Sequence, residues 1–180
     1  PSKIKEAREA IIQAFEYAKI VKSKNIHGMA GIADLSTRSL VTFIDNLKFA
    51  KELIEDSDIG LVIEPLNLKD NPGYFLTKVE QAKEICELVG SDSVKIMFDC
   101  YHIQINQGNV LERFREHLPY IGHVQIASVQ DRSEPDRGEL DFNYIIPEIY
   151  KIGYKSIIGA EYKPKTTTDE GLGWMKKFKE

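Results

Sequence analysis

Cysteine and tryptophan are scarce in this chain, with 2 and 1 among 180 residues. Cys86 and Cys100 are not in C-x-x-C spacing and could not staple a chain of this length, so a disulfide scaffold is excluded. They read as small buried thiols of a reducing compartment, and a cytoplasmic protein is the expectation. No apolar run approaches the roughly 18 residues of a membrane span, and the mean hydropathy is -0.31, so no membrane partner is expected. There is no basic excess either: Lys plus Arg is 24 against 28 Asp plus Glu, for a net charge of -4. Phosphate neutralisation needs a basic surface, so nucleic acid is not the expected partner. The first residues, Pro1-Ser2-Lys3-Ile4-Lys5-Glu6, show no apolar stretch of the secretory kind.

What remains is ordinary globular material, 42% apolar and 29% charged, enough for a single domain over residues 1–180. Apolar residues at Ile4, Ala7, Ile11, Ala14, Phe15, Ala18 and Val21 form the 3–4-residue stripe of an amphipathic helix. Residues 24–31 read as a short strand. Asp34-Leu35-Ser36 starts a second helix with its stripe at Leu40, Phe43, Ile44, Leu47, Ala50 and Ile54. Gly60–Glu64 is a β-branched run suited to a strand buried on both faces. Thr77-Lys78-Val79-Glu80 reads as a capping box opening a helix that Gly90 closes. Val94–Asp99 is the next strand. Asn109 is then expected to cap a helix running to His117 that Pro119 stops, and His123–Ala127 to be a strand. A helix over residues 140–153, entered through Asp141 or Asn143, tolerates Pro147 only near its first turn. Ser156–Glu161 is the last strand, and Thr168 is expected to cap a closing helix through Trp174 and Phe178. Strands that alternate with helices and read as apolar runs predict an α/β fold with a parallel sheet.

Four of these strands carry an oxygen donor at or near the end: Glu64, Asp99, Gln125 and Glu161. Taken singly, each reads as the cap of the following loop. In a parallel α/β barrel, however, strand C-termini open on one face, where catalytic groups gather. Carboxylates brought together there repel unless a cation sits between them. The donor set is all hard oxygen, which favours Mg²⁺ or Mn²⁺ over Zn²⁺.

The runs Ile63-Glu64-Pro65-Leu66-Asn67, Phe98-Asp99-Cys100-Tyr101-His102, residues 122–127 (GHVQIA), Gly138-Glu139-Leu140 and Glu161-Tyr162-Lys163-Pro164 together resemble hydroxypyruvate isomerase, one of the xylose-isomerase-like TIM barrels. The resemblance implies a partial TIM (β/α)8 barrel, strands four to eight with their helices, because nothing here matches strands one to three. It implies metal ligation by Glu64, Asp99, Gln125 and Glu161, with Glu64 and Glu161 also the catalytic acid/base pair. His102 and Arg132 resemble the substrate-binding histidine and loop arginine. The expected activity interconverts hydroxypyruvate and 2-hydroxy-3-oxopropanoate, with a small hydroxy-oxo acid as substrate. The alternatives are a ketose 3-epimerase, against which Gln125 in place of histidine argues, and a non-catalytic remnant acting through binding. A nuclease of the same superfamily, with a trinuclear zinc site, would want more histidines than the four present. An open sheet with strand four at its edge is expected to be marginal alone or to form a homo-oligomer. His27 and His123 read as structural histidines, Tyr74 and Tyr162 as packing residues, and Glu134, Arg137 and Glu139 as a solvated charge run.

Overall fold

The computed structural model describes residues 3–90 and 92–178. Five strands pair in chain order, β1 (Asn25–His27), β2 (Gly60–Ile63), β3 (Val94–Asp99), β4 (Ile121–Ile126) and β5 (Ile158–Ala160), and every pairing is parallel. Helix α1 (Ile4–Val21) precedes β1, and α2 (Thr37–Ile54) and α3 (Val79–Val89) follow β1 and β2. Helices α4 (Cys100–Asn106) and α5 (Val110–His117) lie between β3 and β4, α6 (Phe142–Ile152) between β4 and β5, and α7 (Thr168–Gly171) after β5. The parallel α/β architecture is the one expected from the alternation of apolar runs.

Side chains alternate across a strand, and the sheet divides its residues accordingly. Leu61, Ile63, Val94, Ile96, Phe98, Val124 and Ile126 pack in one core with the buried faces of α2, α3, α5 and α6. The opposite face carries His27, Val62, Met97 and, at the strand ends, the oxygen donors. One register shift decides which residues arrive there. Ile96 pairs with Ile121, but Met97 pairs with His123 and Asp99 with Gln125. The extra residue, Gly122, lies against the Lys95 stem, where a Cβ would come within 2.6 Å of the Lys95 Cβ. Without this bulge Asp99 would face Val124, and Gln125 would point into the helical layer.

Several helix ends form as the sequence suggests. The Ser36 hydroxyl accepts from the Ser39 N–H, Asp141 caps α6 through the Asn143 N–H, and Gly90 closes α3 with a φ of 69°. Others differ for identifiable reasons. The capping box at Thr77 does not form: Gln107 accepts from the Val79 N–H at 3.0 Å, while Glu80 turns to Arg113. Tertiary partners there outcompete the local cap. Helix α4 carries no separate signal in the sequence, since Asp99 is both the last residue of β3 and its N-cap. Asn109 stands at the start of α5 but in the left-handed region, without a side-chain cap. The closing helix is capped by Thr167 rather than Thr168. Pro147 lies beyond the first turn of α6, where it removes one backbone bond, to the carbonyl of exposed Asn143.

Phe98 ties the sheet to α5: it is fully buried and meets Phe114 edge-on, with ring centroids 5.4 Å apart. Phe98→Ala is expected to lower the unfolding free energy by about 3–5 kcal/mol. Val41→Ala on the exposed side of α2 should stay within about 0.5 kcal/mol of wild type in the same urea titration. Equal effects would show that this contact is not where the layers are held.

Candidate functional site

The C-terminal ends of β2, β3, β4 and β5 bring Glu64, Asp99, Gln125 and Glu161 to one edge of the sheet. Glu64 and Asp99 are both buried, 3% and 1% exposed. They form a cluster with buried His102, in which one potential ligand atom from each residue lies within 4.8 Å of the others. The Asp99 carboxylate divides its work. Its Oδ1 accepts from the Tyr101 N–H at 2.8 Å and so caps α4, while Oδ2 has no hydrogen-bond partner. Glu64 Oε1 and Gln125 Oε1 are likewise buried and unpartnered. Unmet buried oxygens from three neighbouring strands are what a hard cation would satisfy, so the donors present fit a divalent ion.

Glu161 is placed differently. Its Oε1 accepts from the Arg132 guanidinium at 2.7 Å, and its side chain is half exposed. The same guanidinium nitrogen stands 3.8 Å from Asp99 Oδ2. Arg132 thus lies between the fourth acid and the buried pair. It comes from the loop after β4, with a φ of 55°. Its backbone is fixed at both ends, N–H to the Ser128 carbonyl at 2.9 Å and carbonyl to the Lys163 N–H at 2.7 Å. A non-glycine residue held in that region marks a position where geometry outweighs local strain. The guanidinium also covers the Tyr101 ring, 5.2 Å from its centroid.

Electrostatics follow from burial. Glu64 is pushed up to about 9, first by desolvation, then by Asp99 and Glu161. Asp99 is pushed up to about 7 by desolvation, opposed by the Tyr101 N–H and Arg132. His102 is driven down to about 3 by desolvation and Arg132, so it is neutral. Its Nε2 stands 3.9 Å from Glu64 Oε1 and 3.8 Å from Asp99 Oδ2, both too long for hydrogen bonds.

Three further residues lie near the site. The structural histidine His27 has Nε2 3.5 Å from Glu64 Oε2. Asn67, just past β2, donates its backbone N–H to His102 Nδ1 and its side-chain amide to Asp70. Asn67 lies inside the run that carried the family resemblance, and that was the available signal. The post-β4 loop is not a solvated charge run throughout. Glu134 is 4% exposed and accepts from the Lys165 N–H at 3.0 Å, pinning the segment after β5. Arg137 and Glu139 do lie at the surface.

The model of the xylose isomerase-like TIM barrel family matches residues 1–178. The chain belongs to that family. It is 40% identical over 99% of its length to the 2-oxo-tetronate isomerase of Cupriavidus necator, of which it covers 70%. It is 35% identical over 99% of its length to the hydroxypyruvate isomerase of Escherichia coli, again covering 70%. Among solved structures, AP endonuclease, family 2, from Brucella melitensis superposes with a TM-score of 0.93 at 33% identity, over 99% of this chain and 70% of that one. The five-stranded sheet is therefore a partial xylose-isomerase-like barrel.

The raised acids set a pH dependence. In the cation-free fold Glu64 and Asp99 keep protons that the unfolded chain releases near pH 4. Their contribution to stability is therefore fully present below that pH and is lost as pH rises towards about 9. Glu64→Gln removes part of the penalty. In chelator-treated buffer at pH 8 it should melt more than about 3 °C above wild type, with the gap closing near pH 4. A gap independent of pH would refute this origin.

Proposed function

We propose that the chain is a divalent-cation-assisted isomerase of small hydroxy-oxo acids, interconverting hydroxypyruvate and 2-hydroxy-3-oxopropanoate. The observation that carries this reading is the set of buried, unpartnered oxygens of Glu64, Asp99 and Gln125 at adjacent strand ends. Glu161 is the proposed fourth ligand, and the hard donor set favours Mg²⁺ or Mn²⁺. When bound, such an ion supplies Lewis-acid polarisation of the substrate carbonyl.

The chain's own residues account for the rest. A proton leaves C3 of hydroxypyruvate, its electron pair makes the C2–C3 double bond, and the C2 carbonyl oxygen gains a proton to complete an enediol. A proton returned to C2, with loss of the C3 hydroxyl proton, leaves the aldehyde. Glu64 and Glu161 are the proposed pair that takes and returns the carbon-borne proton. Glu64 needs a positive neighbour for this, because its carboxyl alone holds its proton up to about pH 9. Arg132 exchanges Glu161 for the substrate carboxylate, for which its planar fork is suited. His102, neutral and with Nε2 unpartnered, donates to the substrate oxygen on which charge develops. The net charge of -4 suits this small-molecule reading better than a nucleic-acid one.

Solvent-deuterium incorporation into hydroxypyruvate at C3 reads the first half of the reaction even where turnover is slow. Exchange should require Mg²⁺ or Mn²⁺ and should fall by at least about 10²-fold in Glu64→Gln and in Glu161→Gln. Exchange that survives chelation and both substitutions would overturn the reading.

Self-association belongs to the same proposal. The β1 edge is unpaired among the described residues, and Met29, Ile32 and Leu35 nearby are 60–81% exposed. Unpaired strand edges invite a further strand, and a second copy of the chain is the proposed cover. Sedimentation velocity should show a concentration-dependent dimer, weakened by Ile32→Lys. A monomer at all concentrations would sink this part. The two free, buried thiols suit a reducing, cytoplasmic setting.

A further inference from the structure

The hydrogen bonds behind His102 fix which of its ring nitrogens carries the proton. The backbone N–H of Asn67 points at His102 Nδ1 at 3.0 Å, and a backbone N–H can only donate. The Asn67 side chain approaches the same nitrogen at 2.7 Å through Nδ2. The orientation of that amide is set independently. Asn67 Oδ1 accepts from the Asp70 N–H at 2.8 Å, so the NH₂ group must face the other way. There its second hydrogen goes to Asp70 Oδ2 at 3.0 Å. Asp70 is held in turn by the Tyr101 hydroxyl, which donates to the same oxygen at 2.6 Å. Two donors therefore converge on Nδ1 and leave the proton of neutral His102 on Nε2. That Nε2–H stands between Glu64 and Asp99 with no partner of its own.

From this geometry we infer that Asn67, braced by Asp70 and Tyr101, is a positioning residue that locks His102 as an Nε2–H donor. A nitrogen that carries a proton has no lone pair for a cation. Proximity alone groups His102 with Glu64 and Asp99, but the bonding excludes it from the ligand set. It serves as a fixed donor to an oxygen entering between the acids. Asn67 is fully buried and touches none of the proposed reacting atoms, so it acts only through the imidazole. The role in turnover rests on the isomerase reading; the tautomer does not.

The test is long-range ¹H–¹⁵N correlation on histidine-labelled chain, with His102 assigned by its loss in His102→Gln. Wild type should show a proton-bearing Nε2 and a bare Nδ1, unchanged on saturation with Mg²⁺. Asn67→Asp places an acceptor against Nδ1 and should put a proton there. It should lower kcat by at least about 10-fold while leaving KM and Mg²⁺ affinity within twofold. A proton on Nδ1 of wild type, or a bare Nε2 that shifts as Mg²⁺ binds, overturns the inference whether or not the variant folds. An unchanged tautomer in Asn67→Asp removes the Asn67 side chain from the role. A wild-type chain with Nε2–H in place but no deuterium exchange supports the tautomer and refutes the isomerase reading.

Discussion

The arrangement turns on two carboxyl groups, Glu64 and Asp99, buried at the ends of adjacent strands. Two such groups cannot both ionise in a dry site without a positive charge beside them. The chain answers with Arg132, carried in on a loop whose backbone is tied to Ser128 and Lys163. The guanidinium binds the third acid, Glu161, and remains near the buried pair. Much of what surrounds the strand ends follows from this: a neutral histidine rather than a charged one, and oxygens left without donors.

The same side chains serve the fold and the site at once. One oxygen of Asp99 starts α4 while the other faces the acid cluster. Helix α4 in turn carries Tyr101 and His102, the first bracing Asp70 and the second filling the space between the acids. The first turn of α4 therefore cannot shift without moving the site. Rigid placement of this kind is what proton transfer between neighbouring carbons demands, since misplacement by about an ångström is costly.

The sequence was legible where signals were local. Continuous apolar runs marked the strands, and Ser36 and Asp141 announced their helices as short-range caps. It was illegible where a distant residue decided the outcome. Thr77 and Glu80 have the pattern of a capping box, but Gln107 and Arg113, nearly thirty or more positions away, take over its bonds. Helix α4 left no gap to mark it, because Asp99 ends one element and begins the next. The four oxygen donors could be placed at strand ends from pattern alone. The turn of Glu161 towards Arg132 depends on how the loop between β4 and α6 folds back, and no periodicity encodes that. Asn67 and Asp70 sat in plain view within or beside a recognisable run, but their purpose emerges only once His102 lies against them.

The bulge at Gly122 gives β4 a parity. Residues before it count odd and even one way, residues after it the other, and Gln125 reaches the acid cluster only because the count is offset by one. The identity of the strand's residues matters less to this than their number. A segment grafted from a relative would deliver a side chain to the site only if it brought the same offset, and with it a residue small enough to lie against Lys95. A graft matched for hydrophobicity but one residue shorter would keep a credible strand and present Val124 where the carboxamide belongs. Variation in this barrel is thus free in composition along β4 and constrained in length, which is the reverse of what a surface loop allows.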